Sequence, residues 1–438
     1  VSRILSAIFP LLLSTAILLM GHGLQLTLGP LFGLKLGFSE LQIGYQGSAY
    51  FLGFIIGCLG IPHLIRSVGH IRVFLVLISL ATLALLTLGL GGQSLLWVSA
   101  RCLSGVCFAG LYMIIESWLN ESATVENRGR VLSVYSVITL IAISLGQLSI
   151  SLDLSHMQLL IVGAMLILLS AIPIGLTKTP APAPLHQVSF KFKTVYRDSK
   201  VALYSTFISG LITSGFLSLG PIIGKALGFE ALEISFFLAI TLVGGALFQF
   251  PVGRFSDRLD RRLVLAGLSA GASFIAFITV LFEVESAAYF YVIMFFFGAM
   301  TLPLYSISLA HANDNSKLSP VETGSVILLT YSLGSVIGPS LLSATLLVSN
   351  YGLYFIALLT LTPFAIITFL RTRTVPATQA HFMPYQDVPV TTQEAIVLSA
   401  EDAEIAHFED NKPAPVKSTM HPESPTLDPT KVSSQNGL

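Results

Sequence analysis

The chain of 438 residues is 53% hydrophobic and only 11% charged, with a mean hydropathy of +0.80. Soluble domains are near a quarter charged, so this composition excludes a soluble globular protein. Lysine plus arginine equals aspartate plus glutamate at 23 each, which leaves no basic excess to bind nucleic acid.

A membrane helix needs about 20 mostly apolar residues. Twelve such spans are expected, at 5–30, 41–63, 72–91, 95–118, 131–152, 157–176, 201–223, 234–252, 263–282, 287–309, 324–347 and 351–370. Spans this long and continuous satisfy their backbone polar groups in lipid as helices. The first is followed by further spans without a small-residue cleavage site, so it reads as a retained helix. Cys58, Cys102 and Cys107 lie inside apolar runs without paired spacing, so no disulfide framework, metal site or cofactor is expected.

Charge fixes the expected orientation. With the amino terminus inside, Arg66, Arg72, Arg128, Arg130, Lys178, Lys191, Lys193, Arg197, Lys200, Arg254, Arg258, Arg261, Arg262 and Lys317 fall on the cytoplasmic side, and only Lys35 and Lys225 on the other. The positive-inside rule then places both termini in the cytoplasm and the chain in the inner (plasma) membrane. Between two six-helix halves, 1–176 and 201–371, the segment 177–200 carries Pro180, Pro182 and Pro184 and then alternates Phe190-Lys191-Phe192-Lys193. It reads as an extended linker, its basic-aromatic part either a solvated loop or a strip on the anionic leaflet. Residues 372–438 are proline-rich and acidic and read as a disordered tail.

The halves repeat one another. Ser14-Thr15, Leu28-Gly29-Pro30 and Leu36-Gly37-Phe38 recur 191 positions later as Ser205-Thr206, Leu219-Gly220-Pro221 and Leu227-Gly228-Phe229. A looser echo, at 193, sets Gly105 and Leu111-Tyr112 against Gly298 and Leu304-Tyr305. Duplicated six-helix halves are a transporter arrangement.

Six charges crowd into the ten residues from Gly253 to Arg262, between two apolar runs. Gly253, Asp257, Arg258, Arg261 and Arg262 fit a G-x-x-x-D-R-x-G-R-R loop, with Asp260 at the second glycine. With the twelve spans, the repeat and Arg101…Gly105 in the fourth span, the chain resembles the major facilitator superfamily (MFS) of transporters. Glu116-Ser117-Trp118-Leu119, Asn127-Arg128-Gly129-Arg130, Tyr135 and Gly146-Gln147-Leu148 make it similar to the YcaD-type branch. The resemblance implies an all-α MFS fold of two pseudo-symmetric halves rocking around a central site. It also implies a latch, in which Asp257 approaches Arg128 and Arg130 at the start of the fifth helix. By pseudo-symmetry, Arg66, in the acid-free first-half loop with Gly69 and Arg72, approaches Glu322.

Ionisable groups within spans are costly and therefore candidates for function. Arg101 either binds an anionic group or hydrogen-bonds backbone carbonyls between helices. Glu116 either takes up a coupling proton or pairs with Arg66, Arg128 or Arg130. His22, with Gln25 on a neighbouring face of the first helix, is a second proton candidate or an interhelical bond. Tyr112, Tyr135, Gln147, Tyr305 and Tyr331 are candidate cavity residues, each alternatively an interhelical bond.

The expected function is secondary active transport of a small solute by alternating access, by a monomer, with protons as the candidate coupling ion. A transporter-like sensor or scaffold acting through the tail is the alternative. An enzyme is not expected: G-x-x-x-x-G-K-[ST], H-E-x-x-H and G-x-S-x-G are absent.

Overall fold

The computed structural model describes residues 2–122, 128–176, 191–282 and 286–374. The side chains of residues 2–7, 120, 128–130 and 132 lie outside that description. Twelve helices among these residues are long and apolar enough to cross a membrane: α1 Ile8–Lys35, α2 Glu40–Val68, α3 His70–Leu90, α4 Ser94–Leu119, α5 Ser133–Ser151, α6 His156–Gly175, α7 Lys200–Ala226, α8 Ala231–Ser256, α9 Arg261–Leu281, α10 Ala287–Asn315, α11 Pro320–Leu346 and α12 Gly352–Thr374.

Burial sorts them with a period of three. In their most apolar windows α1, α4, α7 and α10 are 72–78% buried, and no other helix exceeds 56%. These four form the centre. The outer helices turn large apolar side chains such as Leu83, Phe274, Leu359 and Ile367 outward, which suits a surface solvated by lipid. Between the halves, α2 packs on α11 and α5 on α8, and α1 and α2 touch α7.

The repeat is visible as geometry. Gly37 and Gly228 both have positive φ, at 85° and 84°. In the first, Phe38 N–H donates to Gly33 O at 3.0 Å and Gly37 N–H to Leu34 O at 3.0 Å; in the second, Phe229 N–H donates to Gly224 O at 2.9 Å and Gly228 N–H to Lys225 O at 3.0 Å. Both turns are Schellman motifs, so the sequence echo at these glycines encodes one helix stop used twice.

Within each half, helices cross where a side chain is missing. A Cβ on Gly53 of α2 would strike Cys102 O of α4, and one on Gly105 of α4 would strike Tyr50 O of α2. In the second half Gly244 of α8 faces Phe295 O of α10, and Gly298 of α10 faces Thr241 O of α8. Likewise Gly23 and Gly146 join α1 to α5, and Gly210, Gly334 and Gly338 join α7 to α11. Small residues at such crossings let backbones approach within dispersion range, which replaces the hydrophobic drive that lipid cannot supply.

The sequence-expected boundaries change in four places. α1 runs through Pro30 to Lys35 and α7 through Pro221 to Ala226, because surrounding helices tolerate a proline that would stop a helix in water. α10 is longer than expected and broken: one helix spans Ala287–Thr301 and a second, opened by Pro303, runs to Asn315. In the linker, Phe192–Asp198 is a short helix rather than extended chain, with the Phe192 and Tyr196 rings stacked at 6.3 Å. The three linker prolines, like the tail beyond Thr374, fall outside the described residues.

Gly105→Ala should destabilise the protein by about 1–3 kcal/mol, the usual cost of overpacking, because the new methyl meets backbone. Gly60→Ala, on α2 with nothing within 4 Å of the added Cβ, should be neutral or slightly stabilising. Thermal unfolding of the two purified variants in detergent checks the contrast.

Candidate functional site

A cavity of about 180 Å³ lies between the halves. His22 of α1, Tyr50, Phe51 and Phe54 of α2, Arg101 and Tyr112 of α4 and Ile143 of α5 line it from the first half. Leu217 and Ser218 of α7, Leu242 of α8, and Leu328, Tyr331, Ser332 and Ser335 of α11 line it from the second. Of the residues expected from sequence, the structure brings His22, Arg101, Tyr112 and Tyr331 together here.

Arg101 is the centre of this site. It is 8% exposed, and its guanidinium carbon stands 4.8 Å from the centre of the Tyr50 ring. The Arg101…Gly105 spacing thereby acquires a cause. Gly105 lets the α2 backbone at Tyr50 touch α4, and one turn away the ring of that same tyrosine covers Arg101. A cation over a desolvated aromatic face gains roughly 2 kcal/mol, less than the several kcal/mol lost on burying a charge. Among the described residues no carboxylate pairs with Arg101, and its Nη1 has no hydrogen-bond partner.

His22 sits at the hydroxyl of the same tyrosine. Its Nε2 is 3.4 Å from the Tyr50 hydroxyl, and its ring centre is 3.9 Å from that of Phe108 and 6.5 Å from that of Tyr112. Tyr50 and Phe108 were not among the sequence candidates. Their signal is the small-residue pattern Ala49, Gly53, Gly57 on α2 facing Gly105 and Ala109 on α4, which places the neighbouring aromatics at the crossing.

The other candidates lie around the cavity rather than in its lining. Gln25 donates from Nε2 to Ser104 Oγ at 3.1 Å, a bond between α1 and α4. Glu116 is fully buried and accepts from the Tyr135 hydroxyl at 3.0 Å. Gln147 is buried where α5 meets α8, its backbone carbonyl accepting from Ser235 Oγ at 2.9 Å. Tyr305, just after the α10 break, packs edge-on against Tyr331 with ring centres 5.3 Å apart.

The halves join firmly at the face remote from the start of α1 and the end of α12. There the Ser48 and Ser340 hydroxyls are 2.6 Å apart. A Cβ on Gly44 would meet Ser343, and one on Gly47 would meet Pro339 and Ser218. The Ser235–Gln147 bond lies near the same face.

The charged loops occupy the opposite, terminal face. Arg261 has no exposed side-chain surface; its Nε is 2.6 Å from Asp314 of α10 and its Nη2 3.4 Å from Asp257. Asp260 caps α9, accepting from Arg262 N–H at 2.9 Å and from its Nη2 at 2.7 Å. Partial burial works to raise the Asp260 carboxyl, but the hydrogen bonds and charge of Arg262 outweigh it and hold it below its ordinary value. An acid so depressed stabilises the fold above its unfolded-state value and loses that contribution only as pH falls through the depressed one, so the cap is constant at neutral pH. Gly253 is buried at the end of α8, and Arg258 is exposed.

In the first-half loop Gly69 ends α2 at φ 92°, and Arg72 is exposed. Arg66 donates to Pro62 O of its own helix at 3.3 Å. Glu322 is held by Lys191 of the linker at 2.8 Å, which corrects the expected Arg66–Glu322 pairing: the start of the linker helix sits against the start of α11. The other expected partners, Arg128 and Arg130, lie outside the described side chains.

The chain matches the family model of the Major Facilitator Superfamily over residues 11–339 and 202–399. It is 28% identical over 331 residues to the MFS-type transporter YcaD of Salmonella newport, covering 74% of this chain and 84% of that one, and equally so to YcaD of Salmonella typhi. Among solved structures, the nucleoside transporter NupG aligns with a TM-score of 0.67 at 16% identity, over 84% of this chain and 99% of that one. An inward-facing bacterial homologue of the human lysosomal transporter Spinster aligns at 0.64 and 17%, over 88% and 98%.

Asp314→Asn should lower stability by about 3–5 kcal/mol, because it leaves a buried guanidinium without its closest counter-charge. Lys191→Ala, at a half-exposed pair, should cost under about 1 kcal/mol. Thermal melts in detergent separate the two.

Proposed function

Because the chain belongs to the major facilitator superfamily and is a multi-pass membrane transporter, we propose that it is a secondary active carrier that moves a small solute by alternating access. The observation that supports this reading is the central cavity, lined by both halves and closed at one face by contacts among glycines, serines and a proline. Small, weakly bonded contacts can part and re-form as the halves rock, whereas the glycine crossings inside each half hold it rigid.

The loops carrying the excess of lysine and arginine lie on the terminal face, so that face is cytoplasmic in an inner (plasma) membrane and the closed face is external. Alternating access then means that the Ser48–Ser340 contact breaks when the cavity opens outward. The carrier works as a monomer, since each chain holds a complete cavity.

Protons are the coupling ion in this reading, and His22 carries them. It borders the cavity, and the polar and charged groups around it are Tyr50 of α2 and Arg101 and Tyr112 of α4. Glu116 is the weaker candidate, since its carboxylate already accepts from Tyr135 and does not line the cavity.

A substrate-free test is available. The native cysteines are replaced, Ser332→Cys is placed in the cavity wall, and a membrane-impermeant maleimide is added from outside. Labelling should proceed slowly and should stop when Ser48→Cys and Ser340→Cys are oxidised to a disulfide, which hydroxyls 2.6 Å apart place within reach. Labelling that continues unchanged across the lock refutes alternating access. In the unlocked protein the labelling rate should change as the medium is acidified, and His22→Gln should abolish that change.

A further inference from the structure

We infer that the solute is a small organic monoanion, a carboxylate with an apolar body, whose head is held by Arg101 over the Tyr50 ring. This rests on reading the central cavity as the transport site. Arg101 is more than nine-tenths buried, lines the cavity, and has an unpartnered Nη1 and no paired carboxylate among the described residues. Glu116, the acid on its own helix, lies fifteen positions on, about 22 Å along the axis at 1.5 Å per residue, and is engaged by Tyr135. The protein supplies the cation; the anion has to arrive.

The chemistry of the site narrows the anion. The ring beneath the guanidinium carbon uses none of its five N–H donors, which remain available in a fork matched to two carboxylate oxygens. Among the described residues no lysine and no second arginine lines the cavity, so with His22 neutral the site balances one negative charge, and a phosphate dianion would need another cation. Around Arg101 the walls are chiefly Leu26, Phe51, Phe54, Ile143, Leu217 and Leu328, which favour an apolar body over a sugar or a peptide. At about 180 Å³ the cavity is smaller than the ~300–1,000 Å³ typical of drug-sized ligands, so the body is small.

The placement of His22 gives this anion a second meaning. Tyr50 touches both groups, its hydroxyl at His22 Nε2 and its face at Arg101. An anion at Arg101 favours a proton at His22, and by reciprocity the proton favours the anion. The two are carried in the same direction.

The test is a charge series on the unaltered full-length protein. Melting temperature in detergent is measured with sodium benzoate, phenylacetate and hexanoate, with the neutral isosteres benzamide, phenylacetamide and hexanamide, and with benzylamine and sodium chloride. At least one carboxylate should raise the melting temperature while its amide, the amine and chloride do not. Arg101→Gln should weaken that response roughly ten-fold or more, and Arg101→Lys should keep part of it. The inference is overturned if amides or the amine stabilise as much as the acids. It is equally overturned if chloride reproduces the effect, if no carboxylate acts, or if Arg101→Gln responds like the parent. Should Arg101→Gln fail to fold, the acid–amide comparison decides alone. A protein that passes the Ser48–Ser340 lock test yet prefers neutral or cationic compounds keeps alternating access and loses the anion.

Discussion

Helices in a bilayer gain nothing from hiding apolar surface from water, and the whole architecture follows from how this chain brings backbones together instead. Four crossings carry the load, each made by a glycine set against a carbonyl on the facing helix. Two of them, at Gly53/Gly105 and Gly244/Gly298, are copies of one contact placed once in each half. They fix α2 to α4 and α8 to α10, which stiffens each half. Because α2 is drawn against α4 at Tyr50, the same contact delivers an aromatic face to Arg101. Rigidity within a half and the chemistry of the cavity thus rest on the same absent methyl groups.

The two charged loops reach the same helix-to-helix turn by different means. In the first half the turn residue is Gly69, in a conformation with φ 92° that side-chain-bearing residues avoid. In the second it is Asp260 at φ −57°, which needs no glycine and uses its carboxylate to cap α9. The departure from the family glycine is therefore a substitution of one terminator for another. It also leaves Asp257 to reach Arg261, so that a fully buried cation lies between two acids from different helices. The first-half loop has no acid to do the same.

Much of the fold was legible because the bilayer imposes few solutions. Twelve apolar runs, a 191-residue echo and a one-sided distribution of arginine leave little choice of architecture. Helix ends were harder. The first and seventh helices run a few residues past their expected ends, to Lys35 and Ala226, and the break at Leu302–Pro303 is hidden within a continuous apolar run. In the site, polar residues stood out against their background, so His22, Arg101, Tyr112 and Tyr331 were visible. Tyr50 and Phe108 were not, since aromatic residues in apolar spans carry no mark of their own until the facing glycines are paired. The order of charges in the loops was readable, but not their partners: whether Glu322 meets Arg66 or Lys191 depends on where the linker lies, which no local pattern records.

The break in α10 has a mechanical meaning. Above it, Gly298 pins the helix to α8; below it, the segment opened by Pro303 bears Tyr305 against the cavity tyrosine Tyr331 and, about two and a half turns on, Asp314 against the buried Arg261. One short rod, about 20 Å long for its 13 residues, therefore spans from the central cavity to the charged loop at the terminal face, and its first residue supplies no backbone donor to the helix before it.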